Sequence, residues 1–144
     1  MTATQTYSTE LTGIDSKPVV KAEANAAYGA KLKRYRASIT MATQDIASTI
    51  QLCRIPAGES FAFGIMNASA TLGSATIAIG ITGTTGKYFA AATFTGAAAT
   101  LFAAPVADEV AAAYTAEEDV FLTVAVAALP GSGTLVIDIY TSFV

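Results

Sequence analysis

The densest group of chemically competent side chains in this sequence is Glu117-Glu118-Asp119, with Asp108 and Glu109 shortly before it. Paired carboxylates can serve as acid and base on a glycosidic bond when a rigid cleft holds them about 5–10 Å apart. Carboxylate oxygens also bind Ca²⁺, but the spaced, glycine-containing loop of an EF-hand is missing. The same residues also read as a solvated loop entering a strand, or as an acidic patch for the basic segment of a neighbouring subunit or partner. A second group, Lys31, Lys33, Arg34 and Arg36, sets four cations around Leu32 and Tyr35. That spacing suits a phosphate backbone superficially, an acidic protein surface better, and a plain solvated strand face as well.

Most other chemistry is excluded by residue type. There is no histidine, which removes Ser-His and Cys-His nucleophilic pairs, His-ligated zinc and imidazole acid–base catalysis. The single cysteine, Cys53, cannot form an intrachain disulfide or a multi-cysteine metal site. It reads as a small buried hydrophobe, although Arg54 would activate the thiol if the site were exposed. Gly80-Ile-Thr-Gly-Thr-Thr-Gly86-Lys87 resembles a phosphate loop only superficially. Ile81 stands where the first glycine belongs, and Tyr88 stands where a Mg²⁺-binding hydroxyl belongs. Asn67-Ala-Ser69 matches a glycosylation sequon, but the leading residues have neither the basic start nor the apolar run of a secretion signal. No catalytic, cofactor-binding or metal-binding residue is assigned, and the expectation is a protein that is not an enzyme. A carboxylate-only hydrolase is the one enzymatic form left open.

The elements that must position these groups follow from composition and pattern. The chain has 144 residues, a size for one domain, with 31 Ala, 20 Thr and 11 Gly against only 19 charged residues. No apolar run reaches the length of a membrane-spanning helix, and a net charge of −3 offers no electrostatic case for nucleic acid. Such an Ala-rich, charge-poor surface suggests that other protein covers part of it. Charge divides the chain: residues 1–54 carry +3 and residues 55–144 carry −6. That split reads as a polar arm over residues 1–36, extended or partly helical, followed by a body over residues 37–144. Pro18 could start a short helix over Val19–Leu32.

The body alternates with period two. Tyr35, Ala37, Ile39 and Met41 form one apolar row, and Phe61, Phe63 and Ile65 another. Ile46–Ile55 is a further strand, ended by the Pro56-Ala57-Gly58 turn. Ile77, Ile79 and Ile81 lead through the Gly83–Gly86 stretch, read as a hairpin turn, into Tyr88–Phe94. Val120, Leu122, Val124 and Val126 make another row, as do Leu135, Ile137, Ile139 and Thr141. The Ala97–Ala116 stretch reads as two short strands or one short helix. Seven or eight short strands predict an antiparallel β-sandwich of jelly-roll type. Phe61, Phe63, Tyr88, Phe89 and Phe94 are its expected core aromatics.

The segment TELTGIDSKPVVKAEANAAYGAKLKRYRASI, followed by PAGESFAFGIMNAS, LGSATIAIGITGTTGKYFAAATF and LPGSGTLVIDIY, resembles small structural proteins of tailed bacteriophages. In size and texture the chain is similar to the jelly-roll cement, or decoration, proteins of short-tailed phages. The resemblance implies a virion protein on the outer surface of the capsid. It would be a homo-dimer or homo-trimer that clamps the major capsid protein, needs no cofactor and touches neither nucleic acid nor membrane. It carries no residue-level motif. The expected partner-binding residues are therefore the two charged groups, Lys31, Lys33, Arg34 and Arg36 together with Glu117, Glu118 and Asp119. A receptor- or carbohydrate-binding jelly roll of a phage tail or head fibre is the alternative, with Tyr88, Tyr114 and Tyr140 as its candidate aromatics.

Overall fold

Period-two alternation produces eight strands in the computed structural model, which describes residues 31–95, 98–103 and 112–143. They are β1 (Leu32–Thr40), β2 (Thr49–Ile55), β3 (Glu59–Ala68), β4 (Thr76–Ile81), β5 (Thr84–Thr93), β6 (Thr100–Phe102), β7 (Glu118–Ala125) and β8 (Thr134–Phe143). The helix expected over Val19–Leu32 lies outside the described residues except at its last two positions. All pairings are antiparallel, in one sheet ordered β1-β8-β3-β6 and another ordered β2-β7-β4-β5. Consecutive strands cross between the sheets at every step except the β4–β5 hairpin. That alternation is the jelly-roll winding the pattern predicts.

The core lies between the sheets. Ile39, Phe61, Met66, Leu135, Ile137 and Ile139 meet Ile55, Ile77, Ile79, Val120, Leu122 and Val124, all buried. Leu72, Phe94 and Leu129 close the end opposite the start of β1 from the connecting loops. Each fully buried aliphatic or aromatic side chain contributes about 1.5–3 kcal/mol relative to exposure, so these inward rows supply most of the favourable term.

Several expectations are corrected by local geometry. Phe63 is not a core residue. The register of β3 on β8 shifts between Phe61↔Thr141 and Phe63↔Tyr140, so Ala62 is an extra residue and parity inverts after it. Gly64, Met66 and Ala68 then face inward, while Phe63 stacks on Tyr140 outside. Val126 lies beyond β7 with φ 68° and 68% exposure, so the strand ends at Ala125. The segment Asp45–Ala47 belongs to a turn, and β2 begins at Thr49. The β4–β5 turn is only Thr82-Gly83, with φ 85° at Gly83. Of the Ala97–Ala116 stretch, the described residues form one short strand, β6, and Ala112–Glu117 approach β7 without regular structure. Within the arm expected over residues 1–36, Leu32–Arg36 belong to β1 and are paired with β8.

Gly64 and Gly80 are required by close approach. A Cβ on Gly64 would overlap the Phe102 ring, and one on Gly80 would overlap the backbone of Thr84 and Thr85. Gly64→Ala is expected to cost about 1–3 kcal/mol by overpacking. Phe102→Ala, which leaves a cavity, is expected to cost about 3–5 kcal/mol. In the double variant the new methyl occupies space the ring vacated, so urea unfolding should give a loss smaller than the sum. Additive losses would mean that the ring is not what excludes a side chain at position 64.

Candidate interaction surfaces

One end of the sandwich gathers nearly all the ionised groups. The start of β1, the Pro56–Gly58 turn, the Thr82-Gly83 turn, the start of β7 and the end of β8 all lie there. Among the described charged residues, only Asp45 lies in the loops of the opposite end.

Glu59 is the centre of this end. It precedes the Ala62 bulge, so its side chain points between the sheets and is fully buried. Lys33 Nζ donates to Oε1 at 2.8 Å, Tyr35 Oη donates to Oε2 at 2.9 Å, and Thr141 Oγ1 donates to Oε2 at 2.6 Å. Burial pushes the carboxyl pKa up, and these three donors outweigh it, so the group sits below its ordinary value. Lys33 is held charged above the usual lysine range, chiefly by its hydrogen bond to Glu59. The Tyr114 backbone brackets the site: its N–H donates to the Glu59 carbonyl, and its carbonyl accepts from Gly58, both at 2.9 Å.

A second carboxylate cluster adjoins it. Lys87 Nζ lies 2.6 and 2.8 Å from the two oxygens of Glu118, and Tyr88 Oη donates to Oε2 at 2.6 Å. The same ammonium sits 4.9 Å from the Tyr114 ring centroid. Tyr88 is wholly buried, with its ring 4.7 Å from Phe61. Burial, then the bond to Glu118, raises its phenol pKa far above the usual range.

The seven charged residues singled out from the sequence do not form two patches. Pleating sends Lys33 inward to Glu59 and Arg34 and Arg36 outward. Arg36 makes a two-pronged contact with Asp138, at 2.7 and 2.6 Å. Lys31 is exposed just before β1. The acidic trio separates likewise. Glu118 is taken by Lys87, whereas Glu117 and Asp119 both engage Arg54, at 3.2 and 2.6 Å, and Gln51 adds a bond to Asp119. Arg54 therefore does not activate Cys53. Burial first, then the Asp119 and Glu59 charges, push that thiol up to about 12. No cluster of His, Cys, Asp and Glu suited to a metal ion occurs among the described residues.

Two features of these surfaces were not singled out from the sequence. Glu59 was one, yet an acid two positions before Phe61 already shares that phenylalanine's parity. The outward Phe63–Tyr140 stack, with ring centroids 4.6 Å apart, depends on the bulge, which no residue type announces.

Glu59 supplies a pH test. Its folded pKa is depressed, so its contribution to stability is present above its ordinary value of 4.5 and is lost as pH falls through the folded value. Glu59→Gln should lower stability at pH 7 by about 1–3 kcal/mol through weakened hydrogen bonds to a charged group. The gap between the variant and the native chain should shrink below pH 4.5. Urea midpoints collected from pH 7 down to about pH 3 check this, and a constant gap would contradict it.

No protein-family model matches the sequence, and no curated protein matches it. Solved structures resemble its fold. A chain of the cyanophage Pam1 capsid asymmetric unit is similar with a TM-score of 0.65 at 16% identity, covering 90% of this chain and 97% of its own. A chain of the capsid of Ralstonia phage GP4 gives 0.60 at 17% identity, over 80% of this chain and 84% of its own. One from the acidic stable capsid of Helicobacter pylori bacteriophage KHP30 gives 0.55 at 11% identity, over 79% and 93%. At such identities the likeness is one of fold.

Proposed function

We propose that this chain is a structural virion protein, a capsid cement that binds the outer surface of the major capsid protein lattice as a homo-dimer or homo-trimer. The observation that carries the reading is that three chains of phage capsid structures match its sandwich over 79–90% of its length. The use of its charges supports the same reading. Every described carboxylate except Asp45 is engaged by a cation of the same chain, an arrangement suited to holding a fold and poor for turning over a substrate. A clamp that binds only the assembled lattice stabilises that lattice by mass action, without any chemistry of its own.

In this reading residues 1–36 dock to the shell, with Lys31 and Arg34 presenting charge where the arm joins the sheet, and residues 37–144 contact symmetry mates. The alternative, a carbohydrate-binding jelly roll, draws on the outward Phe63–Tyr140 stack. Of the tyrosines it calls on, Tyr88 is in the core and Tyr114 is held beside Lys87.

Cosedimentation of the purified protein with undecorated capsids and, separately, with tails tests the proposal. Saturable binding to capsids, with raised heat resistance of the heads, is expected. Deletion of residues 2–30 should abolish that binding and leave the cooperative unfolding of the body intact. Binding to tails alone, or recognition on a glycan array without capsid binding, would favour the alternative.

A further inference from the structure

The outer face of the β1-β8-β3-β6 sheet carries side chains that the core between the sheets does not use. The strand registers set Arg34, Tyr140 and Phe63 in one cross-strand row, and Arg36, Asp138, Ile65 and Leu101 in the next. Asp138 is occupied by Arg36, whereas the Arg34 side chain makes no hydrogen bond or ion pair among the described residues. Leu101 is 67% exposed and extends the apolar surface of this row beyond Ile65. Below this row lies a shallow depression of about 340 Å³, reaching Asn67 and Val136. The face therefore offers aromatic and aliphatic surface beside a guanidinium that makes no hydrogen bond or ion pair among the described residues and only adds to the field at Asp138. It suits an extended polypeptide that brings aliphatic side chains and a carboxylate together.

We propose that this face takes residues 1–16 of a second copy of this chain, with Glu10 or Asp15 on Arg34 and Leu11 and Ile14 along the strip from Phe63–Tyr140 to Leu101. Residues 1–16 contain two carboxylates and no lysine or arginine; the first cation is Lys17. Glu10 and Leu11, then Ile14 and Asp15, pair each acid with an aliphatic neighbour. The chain that precedes the described residues enters at Lys31, directly before the edge strand of this very sheet. Residues 17–30 span at most about 50 Å when extended, ample to cross to a neighbouring molecule. Direction favours the neighbour. The segment ahead of β1 leaves at the polar end, so a return over its own sheet needs a reversal that a crossing to another copy does not. Exchange of such segments closes a pair or a ring without a large flat interface. The inference rests on the cement reading and extends it to the oligomer: residues 1–16 and Arg34 are engaged between copies, which narrows the shell contact of the arm to residues 17–33. Its failure leaves the cosedimentation result standing, and the reverse holds as well.

Charge exchange in the full-length chain tests it by sedimentation equilibrium. The native protein should associate, and higher salt should weaken the association. Arg34→Glu should lower the association constant at least about tenfold, as should Glu10→Lys combined with Asp15→Lys. All three substitutions together should restore it. Arg34 is exposed on an outer face, and the three-way rescue also separates lost contact from lost folding. A native chain that stays monomeric overturns the proposal, since the face would then be free or covered by the chain's own segment. An oligomer that is indifferent to both charge changes, or that the triple variant does not recover, overturns it equally.

Discussion

β8 lies between β1 and β3, and its two faces could hardly differ more. Leu135, Ile137, Ile139 and Thr141 are buried on one side, while Val136, Asp138, Tyr140 and Ser142 stand on the other. A slip of one residue would drive Asp138 into an aliphatic core and expose three branched side chains, so its register is strongly specified. β1 and β3 take their placement from it. Tyr35 opposes Ile139 and therefore faces in, whereas Arg34 opposes Tyr140 and Arg36 opposes Asp138 and both face out. The buried acid site and the outer face are consequences of the same parity, read on its two sides.

The single departure from that parity creates both features. Before Ala62, β3 sends Glu59 and Phe61 inward. After it, Phe63 and Ile65 face out and Gly64 and Met66 face in. Without the bulge, either Glu59 would point to solvent or Phe63 would displace the tight Gly64–Phe102 contact. A bulge at this place keeps a carboxylate under the strand ends, where Lys33, Tyr35 and Thr141 can satisfy it, and leaves the aromatic pair outside.

Where alternation was strict, the fold was legible. β8 and the Val120–Val124 run lie as their patterns predict, and strand number and turn spacing were enough for the jelly roll. What escaped were positions where two backbone conformations accept the same residues. Phe61-Ala-Phe63 alternates equally well with or without a bulge, and only the partner strand decides between them. Val126 continued the apolar row of β7, but the chain turns there through a positive φ that a β-branched residue rarely adopts. The charged runs misled for a related reason. Adjacent letters such as Lys33-Arg34 or Glu117-Glu118-Asp119 look like one patch, yet pleating sends neighbours to opposite faces, where different partners claim them.

This internal use of charge constrains how the molecule can recognise anything. With every described carboxylate but Asp45 matched to a cation a few ångströms away, the described body projects little long-range field, and steering by net charge is weak beyond about 10 Å at ordinary salt. Affinity must then come from short-range contact: aromatic and aliphatic surface, backbone groups at strand edges, and single side chains such as Arg34 that make no ion pair among the described residues. Contacts of that kind are modest one at a time. On a repeating lattice they need not be strong, because copies joined to one another present many of them at once, and each contact after the first forms at high effective concentration. A rigid, internally neutralised sandwich with a separate polar segment is suited to that regime. In the proposed pairing the sandwich fixes where the contacts point, and residues 1–16 bring only two carboxylates, Glu10 and Asp15, whose reach is short at ordinary salt.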